Sequence, residues 1–186
     1  MAGKVTVSAL VIALCSVGSY AEVKPIRFKN GPFEPANRSR EQIRVHLAAE
    51  AAEAESAHFI VQFDQPVTDD IRKKLEATGV TLLDYLGDNG FFAVVQQHRF
   101  NEAGLAKVPS LVRSGQITQA QKLHRELLAD NVYDWMVVAK KRPEGTQPDD
   151  PIVGLYVRFH ADIAMDPEGV QLVQQYGAAI RSKLAA

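Results

Sequence analysis

The chain has 186 residues, of which 46% are hydrophobic and 23% are charged, and its formal net charge is -1 at pH 7. That length suits one domain or two small ones, and the composition favours a folded chain over a disordered one. The nearly balanced charge lacks the basic excess that is typical of nucleic-acid-binding proteins and of polybasic membrane-surface proteins.

The first 21 residues have the pattern of a secretory signal peptide. Lys4 supplies a positive start, residues 5–17 form a mostly apolar run, and Ala21 fits the small residue that precedes a cut. The run is too short for an ordinary membrane span, which disfavours a membrane anchor. We therefore expect a secreted protein, extracellular or periplasmic, that is cleaved near Ala21 and leaves the membrane. The one cysteine, Cys15, lies inside this segment, so the secreted chain has no disulfide and no thiol nucleophile.

Residues 22–56 predict a linker followed by a lead-in helix. Three prolines punctuate the first part. Ser39 and Gln42 form a capping box, and the run 40–55 that follows is rich in alanine and glutamate, which favour a helix. Its thin apolar face consists of Ile43, Leu47 and Ala51. The helix either leads into the next domain or is a partly solvated spacer.

Residues 57–139 predict an α+β domain of the ferredoxin-like βαββαβ type. Phe59, Val61 and Phe63 alternate with Ile60, Gln62 and Asp64, a period of two that predicts the first strand. Thr68 is a candidate cap for the helix that follows, and Gly79 is its expected stop. Two more strands are predicted next, joined by the hairpin signal GDNG at residues 87–90.

The second half of this domain is predicted to contain two helices and a fourth strand. A short helix begins at Asn101 and ends before Pro109, and Thr118 caps a longer one. The apolar stripe of that longer helix consists of Ala120, Leu123 and Leu127. The sequence DWMVV at residues 134–138 is the candidate fourth strand.

A linker and a partial second copy of the βαβ unit are predicted after this domain. Residues 140–151 hold three prolines and a glycine. In the range 152–186, apolar residues over 155–159 repeat the alternation of the first strand, a helix ends at Gly177, and residues 178–184 match the second strand. Two strands and one helix bury little apolar area. This unit must therefore dock on the first domain, pair with another chain, or be part of something longer.

The stretch FIVQFDQPVTDDIRKKLEATGVTLLDYLGDNGFFAVV, residues 59–95, resembles the N-terminal segment of secreted subtilisin-like serine peptidases. Those proteins carry an inhibitor-type prodomain with the same β-α-β-β order. The later strings LAKVPSLV and WMVV look like the second helix and fourth strand of that prodomain, with residues 114–131 as an insertion. GLYVRFHADI looks like the start of the second such module that these precursors often carry. The resemblance covers roughly residues 57–184.

The resemblance implies a binding function. In that family the prodomain helps its protease to fold and then blocks it: the sheet packs on surface helices of the protease, and an extended tail pairs in the substrate cleft. The implied tail here follows the predicted fourth strand, and its AKKR string is a candidate cleavage site. The alternative is a solvated linker that carries a run of charge. The tail residues are Val138, Ala139, Lys140, Lys141 and Arg142.

No pattern in the chain predicts catalysis. A subtilisin-like catalytic domain marks its Asp, His and Ser with His-Gly-Thr and Gly-Thr-Ser-Met segments, and neither string occurs. The five histidines lack metal-ligand spacing, and no phosphate-binding glycine loop is present. His160 and Asp162 are interpreted as a surface pair at a strand end. We therefore expect no catalytic residue, no cofactor and no metal.

Three functions stay open. The first is a secreted prodomain-like or inhibitor-like module that binds a subtilisin-like serine protease in cis or in trans, assisting its folding or inhibiting it. The second is the front part of a longer secreted protease, which the two catalytic segments beyond codon 186 would indicate. The third is a secreted interaction module that self-associates through open sheet edges. Tight inhibition of a subtilisin would separate the first from the third.

Overall fold

A computed structural model describes residues 23–36, 38–139 and 151–183, which form an α+β fold, as the sequence predicts. The elements in chain order are β1 (Ile26–Phe28), β2 (Gly31–Phe33), α1 (Arg40–Glu53), β3 (Ser56–Phe63), α2 (Asp69–Glu76), β4 (Val80–Gly87), β5 (Gly90–Gln96), α3 (Glu102–Leu105), β6 (Leu111–Gln116), α4 (Gln119–Lys122), α5 (Arg125–Leu128), β7 (Val137–Ala139), β8 (Ile152–Val153) and α6 (Val170–Gln175). The predicted signal peptide, residues 140–150 of the predicted linker, and with them Lys140, Lys141 and Arg142, lie outside the described residues.

The central sheet has the ferredoxin-like topology. Four antiparallel strands lie side by side in the order β4-β5-β3-β6. Helix α2 connects the first of these strands in sequence to the second, and α3 connects the third to the fourth. The first strand in sequence, β3, therefore lies between the third and the fourth, which is the arrangement of the βαββαβ motif.

Local sequence signals set several element boundaries. The Ser39 hydroxyl accepts a hydrogen bond from the backbone N–H of Gln42, whose side chain in turn accepts one from the Ser39 backbone, and α1 begins directly after this capping box. Asp88 and Asn89 have φ values of 48° and 57°, which form the two-residue hairpin turn between β4 and β5. Thr68 caps α2 through its hydroxyl, 3.4 Å from the backbone nitrogen of Ile71.

One face of the sheet packs on a layer of helices. Phe59, Val61 and Phe63 alternate along β3 and are fully buried on this face. Helix α1 contributes to this core the three residues of its predicted apolar face, and α2 contributes two more. The buried residues of these two helices are Ile43, Leu47, Ala51, Ile71 and Leu75. Helix α1 is therefore part of the domain core, and the spacer interpretation is wrong.

The opposite, helix-free face of the sheet is covered by the N-terminal hairpin of β1 and β2. Ile26 is fully buried, and a methyl group on Gly90 of β5 would lie 2.5 Å from its Cδ1. The rings of Phe28 and Phe92 lie 6.2 Å apart between centroids. Gln62, also fully buried on this face, donates from Nε2 to the Lys24 carbonyl over 2.6 Å. The residues predicted as a linker thus form a structural part of the domain.

The fourth strand of the sheet is β6, so its predicted position at residues 134–138 is wrong. In β6, Ser114 pairs with Val61, and Gly115 pairs with Ile60. Residues 134–138 instead form a 3₁₀ turn over Asp134–Met136 and the start of β7, which pairs with β8. The sequence LVRSGQ of β6 has polar and glycine positions and little alternation, whereas WMVV is apolar throughout, so pattern alone favours the wrong segment.

The long helix predicted after Thr118 is broken into α4 and α5. Leu123 has extended backbone angles, φ -98° and ψ 147°, and His124 caps the second piece by accepting from the backbone nitrogen of Glu126. Leu123 is exposed and Ala120 and Leu127 are only half-buried, so no member of the predicted apolar stripe is fully buried. A helix that buries so little of one face gains little from continuing, because most helical stability in proteins comes from packing.

The predicted second unit forms its helix but not its strands within residues 151–183. A turn at Met165–Gly169 leads into α6, while residues 155–159 and 178–183 are not strands. A strand needs a partner, and among the described residues β7 pairs only with the two residues of β8. The segment docks instead on the first domain through its side chains, one of the three arrangements that the sequence left open.

Candidate binding site

The described residues offer little enclosed space for a small ligand. One hollow, between α1 and the segment after α3, has a volume of about 10 Å³, which holds at most one water molecule. A second, of about 440 Å³, is open to solvent and is lined by Lys29, Asn30, Arg125, Leu128 and Ala129. Among the described residues, no group of three or more His, Cys, Asp or Glu side chains is placed to hold a metal ion, and no helix has the length and apolarity to span a membrane.

His46, Glu50 and Ser114 form a polar cluster between α1 and β6. The Nδ1 atom of His46 lies 3.0 Å from the Ser114 hydroxyl oxygen, and its Nε2 lies 3.4 Å from Glu50 Oε1. The second contact has ion-pair distance but not the alignment of a hydrogen bond. Gln116 donates to the same Glu50 oxygen over 2.8 Å. The His46 ring also meets the edge of Phe59 in the core.

Ser114, His46 and Glu50 are the residue types of a nucleophile, a base and an orienting acid. In an enzyme these groups must be accessible to the substrate, and here they are not. Ser114 is fully buried, and the His46 side chain is only 12% exposed. A carbonyl group would have to enter the core to reach the hydroxyl. The geometry therefore favours a structural role, in which polar groups tie α1 to the fourth strand.

The His46 cluster should make the fold less stable in acid. Burial lowers the pKa of His46, and the Glu50 carboxylate opposes this shift only in part. The unfolded chain takes up the proton near the ordinary pKa of about 6.5, and the folded chain only at lower pH. Between those values the unfolded state binds more protons, so the free energy of unfolding falls as the pH falls. Urea unfolding at about pH 7.5 and about pH 5 measures this loss.

His46→Gln should reduce that loss, because the amide keeps a polar partner for Ser114 but does not titrate. The remaining slope includes His160, whose pKa burial also lowers. His98→Gln is the control, since His98 is exposed on the surface after β5. An equal loss of stability in the parent protein and in His46→Gln would contradict this role.

A second cluster joins the C-terminal segment to the helix-free face of the sheet. The two oxygens of Asp162 lie 2.8 and 3.0 Å from Nε2 of His58 in β3. The His160 ring stacks on the His58 ring with centroids 4.6 Å apart and planes 12° apart. The same His160 ring meets Phe92 of β5 at 4.8 Å. Arg158 reaches Asp84 of β4 over 3.2 Å.

The electrostatics of this cluster centre on His160. Burial lowers its pKa, and the positive charges of His58 and Lys122 act in the same direction. The carboxylates of Asp162 and Asp84 oppose the shift. At neutral pH the ring is therefore mostly uncharged, which suits its position between the rings of His58 and Phe92. The surface-pair interpretation of His160 and Asp162 is wrong, because both contact the sheet.

A third feature is an exposed apolar surface beside the short β7–β8 sheet. Trp135 is 78% exposed and Tyr156 is 94% exposed. Tyr133 stacks on Trp135, with planes 7° apart and centroids 6.1 Å apart. The further exposed apolar residues of this region are Val132, Val138, Leu155 and Val157. Exposed apolar surface of this kind is typical of protein contacts.

The implied cleft tail, residues 138–142, is only partly described. Val138 is exposed, and the backbone of Ala139 pairs with that of Ile152 in the β7–β8 sheet. The prediction places the tail at these residues because it expects the fourth strand directly before them, at residues 134–138. Because the fourth strand is β6, the residues that follow it begin at Ile117. Binding of residues 138–142 in a protease cleft stays a prediction.

Neither polar cluster has a sequence signal that could have revealed it. His46 and Ser114 are 68 residues apart, and His58 and Asp162 are 104 residues apart. Each pair depends on which strands become neighbours. Only the alternation along β3 gave a hint, because it places His58 on the face opposite to Phe59.

Comparison with known proteins gives one family. No curated protein and no solved structure matches this chain. A family model described as Domain of unknown function (DUF8729) matches residues 27–119, half of the chain. The matched range runs from β1 to the first residue of α4 and so includes the hairpin, α1 and the whole four-stranded sheet. The chain therefore belongs to the family described as Domain of unknown function (DUF8729).

Proposed function

We propose that the protein is a non-catalytic binding module for a subtilisin-like serine protease, acting in cis or in trans as a prodomain-like folding assistant or inhibitor. The observation that carries the proposal is the sheet itself. Its strand order, with α1 and α2 packed on one face, is the arrangement that the resemblance of residues 59–95 implies. The helix-free face is the surface that such a module presents to the surface helices of its protease.

The chemistry of the helix-free face supports protein contact. The central strands place three apolar side chains there: Phe92, which is half-buried, and Ile60 and Val94, which are buried beneath the segments that cover the face. Val94 pairs with Thr81 of the edge strand β4, which extends the face toward solvent. Apolar residues on a sheet give a rigid surface on which a helix packs well. The N-terminal hairpin covers part of this face, and docking on the rest requires that the C-terminal segment over Phe92 move aside.

The geometry favours this face over the sheet edges as the docking surface. The edge strand β4 has two register shifts in its pairing with β5, one between Leu82 and Tyr85 and one between Tyr85 and Gly87. Bulges of this kind twist an edge and hinder the addition of another strand. The other edge strand, β6, carries Arg113, whose guanidinium reaches Gln62 and Glu34 on the helix-free side. Self-association through open edges is accordingly the weaker hypothesis.

An inhibition assay tests the proposed function. The purified chain is titrated against a panel of secreted subtilisin-like proteases with a small chromogenic substrate. We expect an inhibition constant below about 1 μM for at least one protease, as a standard-sized interface gives. An unrelated chymotrypsin-type protease is the control and should keep its activity. Degradation of the chain with no inhibition of any protease in the panel would contradict the proposal.

A further inference from the structure

We propose that residues 158–162 form an acid-released latch, which at neutral pH covers the part of the helix-free face around Phe92 and uncovers that part when the pH falls. This inference rests on the proposed function, because it concerns access to the same face. The latch is defined by Arg158, His160 and Asp162 and by their partners on the sheet, Asp84, His58 and Phe92.

The latch lies over the centre of the sheet. His58 is in β3 and Phe92 is in β5, and these two strands are the neighbours in the middle of the order β4-β5-β3-β6. The His160 ring contacts both side chains at once, stacking on His58 and meeting Phe92 nearly edge-on. A partner helix packing on the centre of this face would need the space that His160 occupies.

Among the described residues, two polar pairs and the ring contacts of His160 hold the latch. Asp162 accepts a hydrogen bond from His58, and Arg158 pairs with Asp84 while 84% of its side chain is exposed. An ion pair as exposed as the second contributes little. By contrast, the N-terminal hairpin is anchored on the same face by the fully buried Ile26. Of the two covering segments, the latch is therefore the one that a change in charge can release.

Protonation of His160 weakens the closed state. In the closed state the ring lies against the side chains of His58 and Phe92, where a charged imidazolium loses part of its hydration. Lys122 of α4 repels the new charge, whereas Asp84 and Asp162 attract it. Burial has the largest effect on the pKa of His160 and lowers it in the closed state. The open state, in which the ring is solvated, takes up the proton at higher pH, and acid therefore shifts the population toward opening.

Two independent measurements on the full chain test the latch: one reports the opening of the segment, and the other reports binding to the protease. Nuclear magnetic resonance reports opening directly, through the cross-peaks between the rings of His160 and Phe92. Calorimetric titration against a subtilisin-like protease with a blocked active site reports binding at about pH 7.5 and about pH 5. We expect the cross-peaks to weaken in acid while those between β3 and β5 persist. We expect binding to tighten in acid, by up to about tenfold for each unit by which the closed-state pKa is lowered.

Two substitutions of one residue give matched controls. His160→Phe keeps an aromatic ring over His58 and Phe92 but cannot take a proton, so the latch should stay closed in acid. His160→Ala removes the ring contact, so the latch should be open at both pH values and binding should lose its pH dependence. His98→Ala, at an exposed position away from the latch, should behave like the parent.

The outcomes separate the latch from the proposed function. Cross-peaks of equal strength at both pH values would overturn the latch, whatever the binding result. Opening in acid with no protease binding in any variant would leave the latch in place and overturn the proposed function. Acid opening of His160→Phe to the same extent as the parent would overturn the role given to His160.

Discussion

Leu47→Ala should lower the free energy of unfolding by about 2 to 5 kcal/mol. Leu47 is fully buried in the helical face of the core, on α1. Removing its side chain leaves a cavity between α1 and the sheet, because a close-packed interior relaxes only in part. Urea unfolding followed by circular dichroism measures the change. A loss of this size would establish that α1 is part of the domain core in solution.

Val45→Ala is the matched control for that experiment. Val45 lies on the same helix and is 54% exposed. Its replacement removes little buried area, and alanine favours a helix slightly more than valine does. We expect a change within about 0.5 kcal/mol. Similar effects for the two substitutions would mean that α1 does not pack on the sheet as described.

Gly79→Ala should also be strongly destabilising, by more than about 2 kcal/mol, for two reasons that add. Gly79 has a φ of 81°, which disfavours any residue with a Cβ by about 1 to 2 kcal/mol. A Cβ at this position would also lie 2.6 Å from the backbone carbon and oxygen of Arg99. Backbone atoms cannot rotate away as a side chain can, and overpacking of this kind typically costs about 1 to 3 kcal/mol more.

Gly87→Ala separates these two contributions. Gly87 has a similar φ of 89°, but no atom of the described residues lies within 4 Å of the position that its Cβ would take. We expect a loss of about 1 to 2 kcal/mol, from the backbone conformation alone. The difference between the two variants then measures the contact with residue 99. A Gly87→Ala loss as large as that of Gly79→Ala would contradict the close approach to the Arg99 backbone.

The sequence predicts the elements whose signals are local. The capping box at Ser39, the Asp88–Asn89 turn and the Gly79 stop each depend on residues within four positions of one another, and all three are present. The buried face of α1 follows from helical periodicity alone. These features depend on local sequence and not on long-range contacts, which is why a single sequence is enough to predict them.

The sequence fails where pairing partners decide the structure. The segment WMVV has stronger strand character than LVRSGQ, but only the latter reaches the free edge of β3. Residues 155–159 alternate like β3 and still form no strand, because no segment of the described structure pairs with them. Strand propensity thus indicates that a segment can form a strand, but not whether another strand pairs with it.

The family match and the latch cover different parts of the chain. The match ends at residue 119, so it includes His58, Asp84 and Phe92 on the sheet but not Arg158, His160 or Asp162. The sheet face therefore lies in the part of the chain that the family shares. The proposed docking face therefore belongs to the family domain, whereas the proposed latch is supplied by the C-terminal segment.

The most direct test of this account is the dissociation constant of one face variant for a subtilisin-like protease with a blocked active site. Thr81 lies in β4 between the core residues Val80 and Leu82, so its side chain is on the helix-free face. Thr81→Arg places a charge on that face, and we expect binding to weaken more than about tenfold, whereas Val45→Arg on the outer side of α1 should leave it unchanged. Equal affinity of the two variants, with both correctly folded, would contradict docking through the sheet.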